Sequence, residues 1–233
     1  VVIGAPDNYI NAYLDVGRVR VFEYDGSSWI QLGQNIDGLL QLDNFGSSVS
    51  INSAGDKVAI GAPSHCGIGT YYGQVRVFSF DGISWTQMGQ NIEGLHNSHF
   101  FGTSVSFNSN GDRLTVGAMY KKVNGNTHCG QVRIYNYNGT SWIQMGQEIN
   151  GVYSWNQFGK SVSMNSVGDK VAIGANKFWV PSLTFGVLIE AGHVRMYNYN
   201  GTSWMQMGQD LNGEADYDES GYSVSMNSVG DRV

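Results

Sequence analysis

One β unit occurs four times along this chain. Trp29, Trp85, Trp142 and Trp204 each sit in Ser-Trp-x-Gln-x-Gly-Gln, and Gly55-Asp56, Gly111-Asp112, Gly168-Asp169 and Gly230-Asp231 recur at spacings of 56, 57 and 62 residues. A repeat of this length confines the chain to architectures in which each unit buries its apolar face on its neighbours. The last spacing carries an insertion.

Each unit reads as four short strands. Ser48 to Asn52 and Lys57 to Ala62 form a first hairpin around Gly55; Arg18 to Tyr24 and the segment around Trp29 to Leu32 form a second. The second hairpin turns at Asp25-Gly26, Asp81-Gly82, Asn138-Gly139 and Asn200-Gly201 in the four copies. Asp-Gly and Asn-Gly mark hairpins because a type I′ turn needs positive φ at both central positions. Side-chain size grows with strand number: Ser, Val, Ala and Gly in the first two strands, Phe or Tyr in the third, Trp in the fourth. Blades that diverge from an axis need that taper, since the gap between them widens outward. The expected fold is therefore all-β, a β-propeller of four-stranded antiparallel blades. It is expected as one repeat domain, 1–233, with units of about 1–57, 58–113, 114–170 and 171–232. Val1 and Val233 fall at equivalent points of the repeat, which allows either a ring closed by strand exchange or a piece of a longer propeller. The start, Val1-Val2-Ile3-Gly4-Ala5-Pro6, reads as that of a processed or partial product.

Composition narrows the function classes. The net charge is -6 and no Lys/Arg cluster exists, which excludes a surface that tracks nucleic-acid phosphates. No apolar run approaches the roughly 20 residues that cross a bilayer as a helix. Only 14% of residues are charged, with Ser, Asn, Gln and Gly in their place. That bias points to an extracellular or cell-surface protein.

Phe45-Gly46-Ser47-Ser48-Val49, Asn52-Ser53-Ala54-Gly55-Asp56 and Val58-Ala59-Ile60-Gly61-Ala62-Pro63 together resemble the FG-GAP repeat of integrin α-subunit propellers and of large exported microbial proteins. Phe101-Gly102 with Gly117-Ala118 and Phe158-Gly159 with Gly174-Ala175 extend the resemblance along the chain; the fourth copy has Ser220-Gly221. The resemblance implies a propeller, often of seven blades, serving adhesion and extracellular recognition. Its calcium loop is not carried over, because Asn-Ser-x-Gly-Asp offers one carboxylate where calcium takes six to eight oxygens. Asp56, Asp112, Asp169 and Asp231 are expected to bond within their own turns.

Candidate chemistry is sparse. His65, His96, His99, His128 and His193 do not recur in register with a nucleophile and a carboxylate, so no triad can be assembled and no enzyme is expected. No cofactor or metal is expected. His65-Cys66 and His128-Cys129 match in neighbouring units, which suggests a Cys66–Cys129 disulfide, with free thiols or a zinc site as the alternatives. Arg20, Arg76, Arg133 and Arg195 recur beside aromatics, as cation–π or ion-pair elements rather than ligand-binding residues. The acidic stretch Asp210, Glu214, Asp216, Asp218 and Glu219 reads as a solvated loop. Asn138 and Asn200 head glycosylation sequons at hairpin tips.

The leading functional expectation is a non-enzymatic extracellular adhesive or structural module that binds a protein partner or copies of itself. Its anchors are Phe178, Trp179, Leu183 and Phe185, in the apolar insertion between residues 176 and 190. Glycan binding through Trp155, Tyr71, Tyr72 and Trp179 is the alternative, and a hydrolase using loop residues is the third class.

Overall fold

The computed structural model describes residues 1–10, 13–67, 70–95, 100–182 and 186–233. All regular structure among them is β, in four antiparallel sheets and two small hairpins. The first sheet joins Val2–Ala5, Arg18–Tyr24 and Trp29–Gln31, with Ile36–Asp37 pairing on Arg18–Tyr24. The second runs Ser48–Ile51, Lys57–Ala62, Gln74–Phe80, Trp85–Gln87; the third runs Phe101–Phe107, Arg113–Ala118, Gln131–Tyr137, Trp142–Gln144. Ile92–Glu93 and Ile149–Asn150 extend these two as short fifth strands. The fourth runs Ser161–Met164, Lys170–Ala175, His193–Tyr199, Trp204–Asn212. The small hairpins pair Cys66–Gly67 with Thr70–Tyr71 and Val180–Ser182 with Gly186–Leu188.

The expected turn chemistry is present. Asp25 and Asp81 accept backbone N–H groups from their own turns, and Asn138 and Asn200 do the same. In the first hairpin, Asn52, Asn108, Asn165 and Asn227 donate to Asp56, Asp112, Asp169 and Asp231 at 2.6–2.8 Å. These aspartates thus bond locally.

The apolar core lies in three layers, each filled from two consecutive sheets. One contact repeats in every layer. The indole Nε1 of Trp85, Trp142 and Trp204 donates to the carbonyl of Leu32, Met88 and Met145 in the preceding sheet, at 2.8–2.9 Å. Gln34, Gln90 and Gln147 then clamp the backbone of the same tryptophan from both sides, accepting from its N–H and donating to its C=O. Between these groups stand Gly33, Gly89 and Gly146, where a Cβ would sit 3.0 Å from the indole ring. Ser-Trp-x-Gln-x-Gly-Gln therefore encodes both halves of an inter-sheet contact: the tryptophan reaches back, and the glycine and last glutamine receive the tryptophan that follows. The Phe-Gly and Gly-Ala pairs belong to a second such contact, since a Cβ on Gly61 or Gly117 would lie 2.1–2.2 Å from the carbonyl oxygen of Gly102 or Gly159 in the next sheet.

The recurring arginines behave as the sequence suggests. Arg76 lies over Phe45 and Phe78, Arg133 lies over Phe101 and pairs with Glu148, and Arg195 binds Asp210 through two nitrogens.

The expectation of a ring closed by strand exchange does not hold in this structure. Met226 N–H donates to Ser163 Oγ at 3.0 Å, as Met164 does to Ser106 and Phe107 to Ser50, so the last segment lies against the fourth sheet. Val2–Ala5 pairs with Arg18–Tyr24. Trp29 is 56% exposed where Trp85, Trp142 and Trp204 are 2–3% exposed, and Gly208 has nothing within 4 Å of its missing Cβ. The two outer faces carry the unmatched halves of the tryptophan contact.

This difference predicts unequal costs for the same substitution. Trp142→Ala should lower stability by about 3–5 kcal/mol, the usual cost of emptying a buried tryptophan site. Trp29→Ala should cost less than about 1 kcal/mol, as for an ordinary surface change. Urea denaturation of the two variants measures both; equal losses would show that Trp29 is covered.

Candidate functional site

A cleft of about 600 Å³ opens between the loops that connect the third and fourth sheets. Residues 153–157, which lead from the third sheet into the fourth, form one side; Lys177, Phe178, Trp179 and Glu190, from the inserted loop of the fourth sheet, form the other.

The backbone dictates how the first side is presented. Trp155 and Gln157 both adopt positive φ, at 66° and 55°. Trp155 N–H donates to the Thr127 carbonyl and Gln157 N–H to that of His128, which ties the loop to the connection inside the third sheet. Trp155 is held outward, 60% exposed, with its ring 4.2 Å from that of His128. Asn156, between them, turns inward and is 1% exposed. Neither atom of its amide has a hydrogen-bond partner, which is rare for a buried polar group.

Phe178 forms the floor. It is buried, 5.3 Å from the Tyr153 ring and 4.3 Å, edge-on, from His193. Trp179 is exposed beside it. Lys177 donates to Glu190 at 2.7 Å and also to Glu219, which accepts from Asn176 as well. These bonds, with Glu190 first, raise the Lys177 pKa, and the bonds from Lys177 and Asn176 lower that of Glu219. Lys177 and Glu219 therefore stay ionised at neutral pH. The cleft combines exposed aromatic faces, a charged rim and one unsatisfied amide, a set suited to a polar ligand with flat apolar faces.

Under this floor, His193 is fully buried, and burial, followed by the charge of Arg195, lowers its pKa to about 4, against a smaller opposing effect of Asp210. A folded protein that takes up this proton only near pH 4, while the unfolded chain takes it up near 6.5, loses stability as pH falls through that window. Gln74 and Gln131 occupy the equivalent strand position in the second and third sheets. His193→Gln should therefore flatten the loss of thermal stability between pH 6.5 and 4. An unchanged pH profile would assign the acid sensitivity to other groups.

The sequence-predicted residues fall as follows. Phe178 and Trp179 meet in the cleft, together with Trp155; Leu183 and Phe185 lie outside the described residues. Tyr72 is half-buried away from the cleft lining, and the Tyr71 side chain lies outside the description. Cys129 is a buried free thiol whose Sγ donates to the Asn126 carbonyl at 3.4 Å. The expected Cys66–Cys129 disulfide is therefore not formed in this structure; the Cys66 side chain lies outside the described residues. Asn138 and Asn200 sit exposed at hairpin tips. The acidic stretch is spent on local bonds: Asp210 holds Arg195, Asp216 accepts from Ile189 N–H, Asp218 closes its own loop and Glu219 binds Lys177. No group of three or more His, Cys, Asp or Glu side chains among the described residues is placed to hold a metal ion. Sequence reasoning missed Asn156, Lys177 and Glu190; the signal available for Asn156 was weak, since the four copies carry Asp43, His99, Asn156 and Asp218 at that loop position.

No protein-family model matches the chain, and no curated protein matches it. Solved structures do. A candidate 6-phosphogluconolactonase from Bacteroides uniformis superposes with a TM-score of 0.55 over 87% of this chain and 51% of its own, at 12% identity. The chain spans about half the length of that protein, and the likeness is one of fold. Two expectations are corrected by it. The FG-GAP resemblance is not supported, since no family model matches and the fold is shared with a protein of another kind. The short Phe-Gly and Gly-Ala motifs that carried it are explained by close backbone approach between sheets, a need any stacked β repeat shares. The expected non-enzymatic adhesive or structural role, argued from the repetition and the apolar insertion, is corrected as well, because the fold match carries an enzyme's name.

Proposed function

We propose that the four sheets are blades of a β-propeller and that the cleft between the third and fourth binds a sugar-derived ligand, which the protein hydrolyses as a lactone. The observation that carries this reading is the cleft itself. Trp155 and Trp179, exposed but drawn from separate loops, line one cleft with Tyr153, Lys177 and Glu190. Aromatic faces beside polar groups suit pyranose rings, whose C–H faces are apolar and whose edges carry hydroxyls. The repeated interlocking of the sheets and the fold of the Bacteroides uniformis protein support the propeller.

Hydrolysis needs a base for water and a cation for the oxyanion. Glu190 takes a proton from water, the resulting hydroxide adds to the lactone carbonyl, and Lys177 stabilises the negative oxygen. The ring C–O bond then breaks and the proton returns to the leaving alkoxide, giving the open hydroxy acid. The name of the structural relative favours this chemistry. The extracellular or cell-surface location stays a proposal from composition, and the two open tryptophan faces are where copies of the same repeat would pack.

Ring opening of glucono-δ-lactone and of 6-phosphogluconolactone, followed by pH-stat titration, tests the activity. Lys177→Ala and Glu190→Gln should each lower the enzymatic rate by about a hundredfold or more, the usual span for a lost acid–base or charge partner. Rates no faster than spontaneous opening with either lactone would contradict hydrolysis. Trp179→Ala should weaken sugar binding by about tenfold, ~1.4 kcal/mol, without moving the thermal midpoint.

A further inference from the structure

The unsatisfied amide of Asn156 identifies what the cleft is built to read. Its loop position is described in three of the four repeat copies, with one backbone shape; the remaining copy carries His99 there, outside the described residues. Leu42, Trp155 and Tyr217 have φ of 65°, 66° and 64°, and the residues two places on, Asn44, Gln157 and Glu219, have 51°, 55° and 49°. Between each pair stands Asp43, Asn156 or Asp218.

The two aspartates are consumed by structure. Asp43 accepts from Leu39 and Leu40 N–H at 3.2 and 2.9 Å, and its other oxygen meets His65 Nδ1 at 2.9 Å. Asp218 accepts from Glu214 and Ala215 N–H at 2.9 and 2.8 Å. Asn156 makes none of these bonds. Phe178 stands where the second sheet has His65: the carbonyl of each accepts from Gly192 or Gly73 N–H at the same point of the repeat. The substitutions Asp to Asn and His to Phe therefore remove both the loop bonds and the partner across the interface, at the one such position that lines the cleft.

A primary amide presents a carbonyl acceptor next to an N–H donor. Its complement is a ligand edge with a donor and an acceptor side by side, which two adjacent hydroxyls of a pyranose supply. A phosphate or carboxylate, acceptor-only when ionised, would leave the amide oxygen unpaired. Among the described lining residues the cation is Lys177, already engaged by Glu190 and Glu219. No second cation among these described residues is left to neutralise a phosphate dianion.

We infer that the cleft takes a neutral, unphosphorylated pyranose, and that Asn156 is its specificity-determining residue, reading two adjacent ring hydroxyls. The inference rests on the sugar-binding reading of the cleft and adds the ligand's charge state and the residue that reads it.

The test compares wild type, Asn156→Asp and Trp179→Ala by tryptophan fluorescence titration and thermal melting. The probes are the methyl pyranosides of glucose, galactose and mannose, their single-deoxy analogues, and glucose 6-phosphate. At least one neutral pyranoside should bind wild type, and loss of one of two adjacent hydroxyls should weaken it about tenfold or more. Asn156→Asp should recover the loop bonds of Asp43 and Asp218, so its thermal midpoint should rise while pyranoside affinity falls about tenfold or more. Removing either hydroxyl should then make no further difference. Glucose 6-phosphate should bind no more tightly than the neutral sugars. Weaker binding in Trp179→Ala together with unchanged binding in Asn156→Asp would overturn the role of Asn156 and leave the cleft reading standing. No binding of any neutral pyranoside, or unchanged binding in both variants, would overturn both. Tighter binding of glucose 6-phosphate would overturn the neutral-ligand inference alone.

Discussion

A tryptophan seated on the glycine and carbonyl of the preceding sheet, and held there by a glutamine, is the contact on which this structure depends. Each such contact buries an indole, satisfies its N–H and fixes the spacing of two sheets at once. Trp85, Trp142 and Trp204 do this for three interfaces with nearly identical hydrogen bonds. Hydrophobic burial alone would let two β-sheets slide, because it is non-directional. The glutamine clamp and the missing Cβ at Gly33, Gly89 and Gly146 remove that freedom. Identical interfaces in turn place equivalent loops at equivalent points, which is why a change in one loop can make a site without disturbing the stack.

The cleft arises from departures from the repeat. The insertion brings Trp179 and Glu190 to the rim beside Lys177, above the Phe178 floor, and Asn156 stands where Asp43 and Asp218 close the same loop in two other copies. Burying an amide without a partner costs about 1–3 kcal/mol, a cost offset when a ligand supplies the missing bonds. His193 beneath Phe178 is a second departure, standing where two other sheets carry glutamine. It couples the floor of the cleft to acid, since its buried ring stays neutral until pH falls toward about 4.

Much of the fold was legible because the repeat samples each strand several times. The Asp-Gly and Asn-Gly turns, the strand Lys57–Ala62 and the local role of Asp56 all follow from side-chain chemistry within a few residues. The short strands Ile36–Asp37 and Ile92–Glu93 escaped, since two residues show no alternation. The exposure of Trp29 escaped for a different reason: its local sequence matches the other copies, and burial depends on a neighbour that the motif itself does not contain. The site was legible only in fragments. Trp155 and Trp179 stood out as loop aromatics, but their meeting is a property of the stacked sheets. The family resemblance misled because Phe-Gly and Gly-Ala answer a steric demand between sheets, and that demand carries no information about a ligand.

The most direct measurement is a crystal structure of the chain soaked with the neutral pyranoside that binds it best. The account predicts a sugar ring against Trp155 or Trp179, with two adjacent hydroxyls within hydrogen-bond distance of the Asn156 amide. A cleft without sugar, and an Asn156 side chain bonded instead to the N–H groups of Val152 and Tyr153, would contradict it.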